Sequence, residues 1–181
     1  MVATDRISAF DVVLPTAIPE KGAVLCQISA FWFQRTSHIV PNHLVSMAAE
    51  RPDLSISADL ARRAMVVRRA ERVDVECVVR GYITGSAWAE YRKSGTVSGL
   101  PAPSGMQEGD RFPEPLFTPT TKAEVGHDES ITIEEMESMV GKELTSRLAE
   151  TTTAVYNFAH DLALEQGIII ADTKMEFGLY D

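Results

Sequence analysis

The sequence predicts an α/β protein of the α+β type, built from antiparallel strands and flanking helices. Apolar residues recur every three or four positions across residues 144–162, which is typical of an amphipathic helix ending near Gly167. Two runs rich in β-branched residues, 64–68 and 75–80, flank a polar turn and predict adjacent antiparallel strands. The 181 residues are enough for one substantial domain or for two small lobes.

Shorter elements precede these two runs. Strands are predicted near residues 12–14 and at 44–47, and a polar helical turn is predicted at 57–63. Residues 22–39 contain no internal glycine or proline after Gly22 and predict a buried helix. The residues expected to be buried in that helix are Val24, Leu25, Ile28, Phe31 and Trp32.

The second half of the chain begins with a helix predicted over residues 87–93 and ended by Gly95. Residues 99–130 are rich in proline and glycine, so a long functional or disordered loop is expected. Residues 132–135 (TIEE) fit a capping box that starts a short helix. The apolar residues 168–171 predict a strand that leaves the long helix.

Composition excludes several classes of function. The apolar content of 45% fits a globular protein, and the net charge of -9 argues against nucleic-acid partners and anionic membranes. Without a run of about 20 apolar residues or a signal-peptide pattern, a cytoplasmic location and no membrane insertion are expected. Cys26 and Cys77 lie in apolar runs, which favours reduced core cysteines over disulfides, and no zinc-ligand spacing is found.

The first candidate site is residues 80–86 (RGYITGS), where a strand delivers Arg80 to a small-residue turn before a helix. Backbone amides at a helix start attract anions, and a guanidinium can bind phosphate oxygens with two hydrogen bonds. This pattern indicates a phosphate site that includes Arg80 and Ser86. An ordinary turn with a surface arginine explains the same spacing.

The second candidate is Asp172, Lys174 and Glu176, which alternation places on one face of an extended strand. Carboxylate oxygens suit Mg²⁺ and a lysine suits phosphate, so this face could hold a metal, a nucleotide and a substrate together. A solvated hairpin face with internal ion pairs is the alternative.

Two charged loops complete the candidates. Residues 122–129 (KAEVGHDE) include Lys122 and Asp128, and their alternative is a mobile solvent loop. Residues 5–11 lie at a strand end, where α/β proteins often place ligands, but a capped turn explains them equally well.

Five segments together resemble the motifs of SAICAR synthetases, in the order of that family and over nearly the whole chain. They are residues 3–11 (ATDRISAFD), 29–33 (SAFWF) with 42–43 (NH), 75–80 (VECVVR) with 84–86 (TGS), 117–129 (FTPTTKAEVGHDE) and 171–178 (ADTKMEFG). The resemblance implies a two-lobed fold related to ATP-grasp and kinase-like nucleotide-binding folds. Residues 1–70 would be the remainder of a nucleotide-binding lobe, and 71–181 a substrate and ATP lobe incomplete at its C-terminus.

The resemblance also implies a ligase that uses ATP and Mg²⁺ in de novo purine biosynthesis. Such enzymes couple L-aspartate to the carboxylate of carboxyaminoimidazole ribonucleotide (CAIR) and give the succinocarboxamide SAICAR, ADP and phosphate. The implied roles are ribonucleotide phosphate for Arg80 and Ser86, imidazole ribonucleotide for Lys122 and Asp128, and the same substrate for Asp172. Lys174 would meet ATP and Glu176 would hold Mg²⁺, while Asp5 and Asp11 would lie near the site.

The likeness has departures at both ends of the chain. The family has a glycine-rich loop before the strand that reaches Asp5, and a segment with a further acidic metal ligand and a serine-arginine element after Gly178. We therefore expect this chain to lack the roof of the ATP site and one metal ligand, and to self-associate through exposed edges as a possible homo-oligomer. The alternatives are a non-catalytic truncated remnant that only binds ribonucleotide, and a small-molecule kinase on the same fold.

Overall fold

The computed structural model of the protein describes residues 1–9, 12–122 and 129–180. They form two compact units, Met1–Ala70 and Glu71–Asp181. Every strand pair in the described residues is antiparallel, and helices accompany the strands in both units, so the predicted α+β class is confirmed. The assignment of nucleotide and substrate roles to two lobes stays a prediction.

The first unit is built from short strands and one long helix. In chain order its elements are β1 (Ser8–Ala9), β2 (Val12–Val13), α1 (Lys21–Arg35), β3 (Leu44–Met47), two 3₁₀ turns (Ala48–Glu50 and Pro52–Leu54), α2 (Ala58–Arg62) and β4 (Met65–Val67). β1 pairs with β2, and β3 pairs with β4. The Ser57 hydroxyl accepts a hydrogen bond from the Leu60 amide and caps α2. The predicted strands near 12–14 and 44–47 and the helical turn at 57–63 are confirmed.

Helix α1 exists as predicted but buries a different side. Its small residues Ala23, Cys26 and Ala30 are buried, and Cys26 and Ala30 pack against Met65 of β4. The large residues expected in the core are exposed by 43% to 53%; they are Val24, Leu25, Ile28 and Phe31. Small side chains let a helix pack closely against a two-stranded sheet. The spacing of the large apolar residues alone therefore predicted the wrong buried side of α1. The helix also ends at Arg35 rather than at residue 39.

The second unit is arranged around a long central strand. Its elements are β5 (Glu71–Tyr82), α3 (Gly85–Ser94), β6 (Thr96–Val97), β7 (Leu100–Pro101), β8 (Arg111–Phe117), β9 (Thr120–Thr121), α4 (Ile133–Val140), α5 (Lys142–Leu164) and β10 (Asp172–Leu179). The sheet order is β10-β5-β8, and β9 also pairs with β5. One side of β5 packs on α4 and α5 through a cluster of Val73, Val75, Cys77, Met136 and Leu148. The other side of the sheet is therefore left to carry polar residues.

The predicted pairing of the two β-branched runs is wrong. Both runs are strands, but β4 pairs with β3 in the first unit, whereas β5 belongs to the second unit. A strand has two edges, and those of β5 are occupied by β10 on one side and by β8 and β9 on the other. No edge of β5 is left for β4.

The expected loop at residues 99–130 is wrong in part, because Arg111–Phe117 forms β8. Pro113 and Pro115 lie in this strand, which is an edge of the sheet formed by the described residues. Proline has no amide hydrogen and is tolerated on edge strands, where one row of amides needs no partner. Proline density therefore indicated an edge strand rather than a loop.

The helices of the second unit follow the sequence closely. Helix α3 ends at Gly95, which has the left-handed conformation with φ of 73°. The Thr132 and Glu135 side chains form the predicted capping box at the start of α4. Helix α5 follows Gly141 and ends at Leu164, three residues before Gly167. These helices are confirmed.

The predicted strand at residues 168–171 is wrong, because regular pairing begins only at Asp172. The Ala171 carbonyl accepts hydrogen bonds from the amides of Gly81 and Tyr82, so the chain runs beside β5 without forming a ladder. The Ile170 carbonyl instead accepts a hydrogen bond of 2.9 Å from the Tyr156 hydroxyl of α5. A side chain thus replaces the strand partner at this position.

Glu90 of α3 stabilises the tight turn between β6 and β7 through hydrogen bonds. Its carboxylate accepts hydrogen bonds from the Thr96 hydroxyl and from the amides of Ser98 and Gly99, at 2.8 to 3.0 Å. Burial raises the pKa of Glu90, but these hydrogen bonds lower it by more, so the pKa is below its ordinary value. The turn is thereby coupled to the ionised state of this carboxylate.

Candidate functional site

The register of β5 and β10 gathers the predicted site residues on one face of the sheet. Asp172 is paired with Arg80, and Glu176 is paired with Glu76. Because paired residues of antiparallel strands point to the same side, Lys174 also lies on this face, between the two pairs. The side chains of Asp172, Lys174 and Glu176 are 46%, 52% and 47% exposed. The predicted alternation along residues 172–176 is confirmed, and we call this surface the charged face.

One end of the charged face is organised around Arg80, whose side chain is 15% exposed. Its guanidinium donates to the Thr118 hydroxyl at 3.2 Å, to an Asp172 oxygen at 3.3 Å and to the Ser86 hydroxyl at 3.4 Å. Ser86 lies in the first turn of α3, and the N-cap residue Thr84 makes no side-chain capping hydrogen bond there. Free amides at a helix start next to an anchored guanidinium can bind an anion such as a phosphate.

The other end of the charged face is organised around Glu76, whose side chain is 3% exposed. Its oxygen atoms accept a hydrogen bond from the Thr120 hydroxyl at 3.2 Å and one from the Lys122 ammonium at 2.6 Å. The Lys174 ammonium forms an ion pair with the same carboxylate. Lys122 also contacts Glu176 at 2.7 Å, so one ammonium bridges two carboxylates that face each other across the strands.

The electrostatics of this end favour a charged lysine. Hydrogen bonds from Lys122 to Glu176 and Glu76 raise the pKa of Lys122 above its ordinary value. Its ammonium therefore keeps its charge throughout the physiological range. Two facing carboxylates would otherwise repel each other across the strand pair, and the bridging ammonium removes that repulsion.

Glu76 belongs to the motif at residues 75–80, but no role was predicted for it from the sequence. Its neighbours Val75 and Cys77 are fully buried, and a lone acidic residue inside an apolar β run is expensive to bury without partners. That anomaly was the available signal. The strand alternation that revealed the site on β10 applies equally to β5, where it places Glu76 and Arg80 on the same face.

The two cysteines behave as predicted. Both are free and buried in the structure. Burial raises the pKa of the Cys77 thiol to about 11, with a smaller opposite effect from Thr152. Cys77 is therefore a neutral core thiol rather than a nucleophile.

The structure does not place the remaining predicted site residues on the charged face. Asp128 and Asp11 are outside the described residues. The Asp5 carboxylate accepts a hydrogen bond of 2.8 Å from the Gly22 amide at the start of α1, which favours the capped-turn alternative. A side chain at Gly22 would have its Cβ 2.8 Å from the Ala3 carbonyl oxygen, so this corner is tightly packed.

Two features are absent from the part of the chain that the structure describes. Within residues 1–9, 12–122 and 129–180, no group of three or more histidine, cysteine, aspartate or glutamate side chains is placed to hold a metal ion. In the same part of the chain, none of the helices has the length and apolar character needed to cross a membrane.

Comparison with known proteins identifies the family. A family model described as SAICAR synthetase matches residues 1–181. The chain is 51% identical to the phosphoribosylaminoimidazole-succinocarboxamide synthase of Xanthomonas axonopodis pv. citri (strain 306), and the match covers 98% of this chain and 58% of that protein. For the synthase of Stenotrophomonas maltophilia (strain K279a) the identity is 52%, with the same coverage.

Solved structures agree with this result. The structure described as SAICAR-synthase from Saccharomyces cerevisiae complexed with SAICAR matches with a TM-score of 0.88 and 46% identity, over 99% of this chain and 62% of that one. The chain thus spans about three fifths of the length of the relatives it matches. The family model, the sequence relatives and the fold together show that this chain belongs to the SAICAR synthetase family.

Proposed function

We propose that the charged face is part of the active site of an ATP-dependent ligase that joins L-aspartate to the carboxylate of CAIR. The products would be SAICAR, ADP and phosphate, as a step of purine biosynthesis. Family membership supports the reaction, and the 46% identical yeast structure is described as a complex with SAICAR. The observation that carries the proposal is the convergence of Arg80, Asp172, Lys174 and Glu176 on one face.

Arg80 and Ser86 bind the phosphate of the ribonucleotide in this proposal. The guanidinium is held by the Thr118 hydroxyl, and the uncapped first turn of α3 adds backbone amides beside it. Asp172 contacts the same guanidinium and would face the same substrate. A phosphate bound there gains charge-assisted hydrogen bonds from a preorganised donor set.

Lys122 and Asp128 would contact the imidazole ribonucleotide, and Lys174 would contact ATP. Lys174 is half exposed and already lies beside a carboxylate, so its ammonium can be shared with incoming phosphate oxygens. These groups neutralise charge and hold the reactants in position, which is the main contribution an enzyme can make to this chemistry.

The donor set fits a magnesium ion bound by few protein ligands. Glu176 presents a half-exposed carboxylate, and Mg²⁺ in nucleotide sites is commonly held by one or two carboxylates together with phosphates and water. Glu176 would hold it, and the ion would supply positive charge that offsets the nucleotide phosphates. The adjacent Lys122 ammonium contacts the Glu176 carboxylate at 2.7 Å and would restrict its movement.

The chemistry requires activation of a carboxylate, because a carboxylate is a poor acyl donor. Transfer of the terminal phosphoryl group of ATP to the CAIR carboxylate forms an acyl phosphate and releases ADP. The aspartate amine then attacks the acyl carbon, and phosphate leaves as the amide bond forms. The residues of the charged face would bind both anionic substrates and orient them for these displacements.

The test is formation of SAICAR and release of phosphate with CAIR, ATP, Mg²⁺ and L-aspartate, omitting each in turn. The proposal expects both products only when all four are present, and loss of both in Lys174→Met. ATP consumption without aspartate would favour a small-molecule kinase, and ribonucleotide binding without turnover would favour a non-catalytic remnant.

A cytoplasmic location is part of the proposal and agrees with two free, buried cysteines.

A further inference from the structure

We propose that Glu76 is a positioning residue whose buried carboxylate sets the places of the Lys122 and Lys174 ammonium groups on the charged face. The inference rests on the proposed function, in which both lysines meet anionic substrates. Glu76 itself need not touch a substrate, since its side chain is 3% exposed and already surrounded by protein donors.

The location of Glu76 is not explained by the needs of the fold. It lies between Val75 and Cys77 in the middle of the central strand, where burying a charge carries a large desolvation cost. Replacing a buried ion pair by apolar residues of similar size is often neutral or stabilising. An apolar side chain could therefore occupy this position without loss of stability. The role of the carboxylate then lies in the lysine side chains that it binds.

The carboxylate divides its two oxygen atoms between the lysines. Oε1 accepts from Lys122 at 2.6 Å, and Oε2 is the atom paired with Lys174 and with the Thr120 hydroxyl. Thr120 fixes the orientation of the carboxylate from β9, and Glu176 holds Lys122 from the other side. Two flexible side chains, one from β10 and one from the residue that follows β9, are thereby brought to one carboxylate.

A lysine side chain has four rotatable carbon bonds and is normally mobile at a surface. Lys174 is 52% exposed and lies on β10, at an edge of the sheet formed by the described residues. The buried acceptor restricts its ammonium before any ligand arrives, so less conformational freedom is lost on binding.

A charge count separates positioning from a purely electrostatic role. Glu76, Glu176, Lys122 and Lys174 carry two negative and two positive charges, which sum to zero. Removing the Glu76 charge makes this group of side chains net positive. If only charge mattered, anions would then bind more tightly, whereas positioning predicts weaker binding.

The decisive comparison is ADP binding, with and without Mg²⁺, measured by calorimetry for the full chain and two variants at Glu76. Glu76→Gln removes the charge, and Glu76→Asp keeps it but withdraws the carboxylate by one methylene group. Positioning predicts roughly tenfold weaker binding for both variants, the loss of about one charge-assisted hydrogen bond. The aspartate variant retains a charged partner for the lysines, so it also provides the test if the glutamine variant does not fold.

The matched control is Glu135→Gln. It changes the net charge by the same amount on α4, which packs on the opposite side of the sheet, and glutamine retains the capping box. Side-chain NMR of lysine-labelled protein supplies a ligand-free measurement: the ammonium signals of Lys122 and Lys174 should shift in both Glu76 variants and stay unchanged in the control.

The outcomes distinguish this inference from the proposed function. Absence of ADP and ribonucleotide binding by the unmodified chain would refute the function, while the NMR signals would still show whether Glu76 positions the lysines. Equal or tighter ADP binding by the Glu76 variants, or unchanged lysine signals, would overturn the positioning role and leave the function standing.

Discussion

Gly81, next to Arg80, is expected to be intolerant of any side chain. A Cβ atom built at this position would lie 1.7 Å from the Tyr156 hydroxyl oxygen, 2.6 Å from Cζ and 3.1 Å from Cε1 of the same ring. The Tyr156 ring comes from α5, and its hydroxyl donates to the Ile170 carbonyl just before Asp172. Gly81→Ala must therefore displace either β5 or the ring that holds the entry to β10.

The magnitude follows from these contacts. Overpacking a well-packed interior costs about 1 to 3 kcal/mol. Movement of the ring to relieve this overlap also breaks its hydrogen bond to the Ile170 carbonyl, which adds about 1 kcal/mol or more when the acceptor stays buried. We expect Gly81→Ala to lower the free energy of unfolding of the second unit by about 3 kcal/mol in total.

Urea denaturation measures the effect. Trp88 fluorescence reports on the second unit in a Trp32→Phe background, and the midpoint should fall by roughly 1.5 M. Gly167→Ala is the control, because its φ of 75° strains a side chain but nothing lies within 4 Å, so about 1 kcal/mol is expected. Adding Tyr156→Phe removes the closest atom and should recover part of the loss. A cost no larger than that of the control would refute the steric argument.

Three further outcomes are expected. Glu90→Gln should reduce the loss of stability at acid pH. The pKa of Glu90 is lowered in the folded protein, so its stabilisation is present above the unfolded pKa and is lost as pH falls through the folded pKa. Thermal melts from pH 7 to 3 should therefore show a smaller fall in melting temperature for the variant. Arg80→Lys should weaken ribonucleotide binding in calorimetry about tenfold because lysine cannot form two parallel hydrogen bonds, and Arg147→Lys on α5 should not. Self-association should be visible by light scattering and reduced by Ile28→Glu, since that residue lies on the exposed apolar side of α1; a monomer at every concentration would contradict this.

Elements whose signals are local in sequence were predicted well. The capping box at Thr132 depends on contacts three residues apart, and the alternation of Asp172, Lys174 and Glu176 depends only on the geometry of one strand. The three site residues on β10 could therefore be predicted from the sequence. The register of β5 and β10 in the structure then places Arg80 and Glu76 beside them.

Features that depend on partners were not predictable in the same way. A β-branched run shows that a strand forms but not which edge it pairs with, and so β4 was assigned to β5 instead of β3. The buried side of α1 depended on which side chains fit against Met65, and small residues fitted better than large ones. Glu76 was missed because its partners come from β9 and β10, far away in sequence.

Pairing within the charged face has a consequence for what it can bind. Arg80 contacts Asp172, Lys174 contacts Glu76, and Lys122 contacts both Glu76 and Glu176, so each of these charges already has a partner of opposite sign. A small anion that takes one of these cations leaves a carboxylate without its partner, and that loss offsets most of the new attraction. A nucleotide accompanied by a divalent cation brings positive charge for the released carboxylate as well as phosphate for the released lysine. Under the proposed function, we therefore expect a metal-bound nucleotide to bind at Lys174 and Glu176 more tightly than a simple anion, through exchange of partners rather than through a net positive potential.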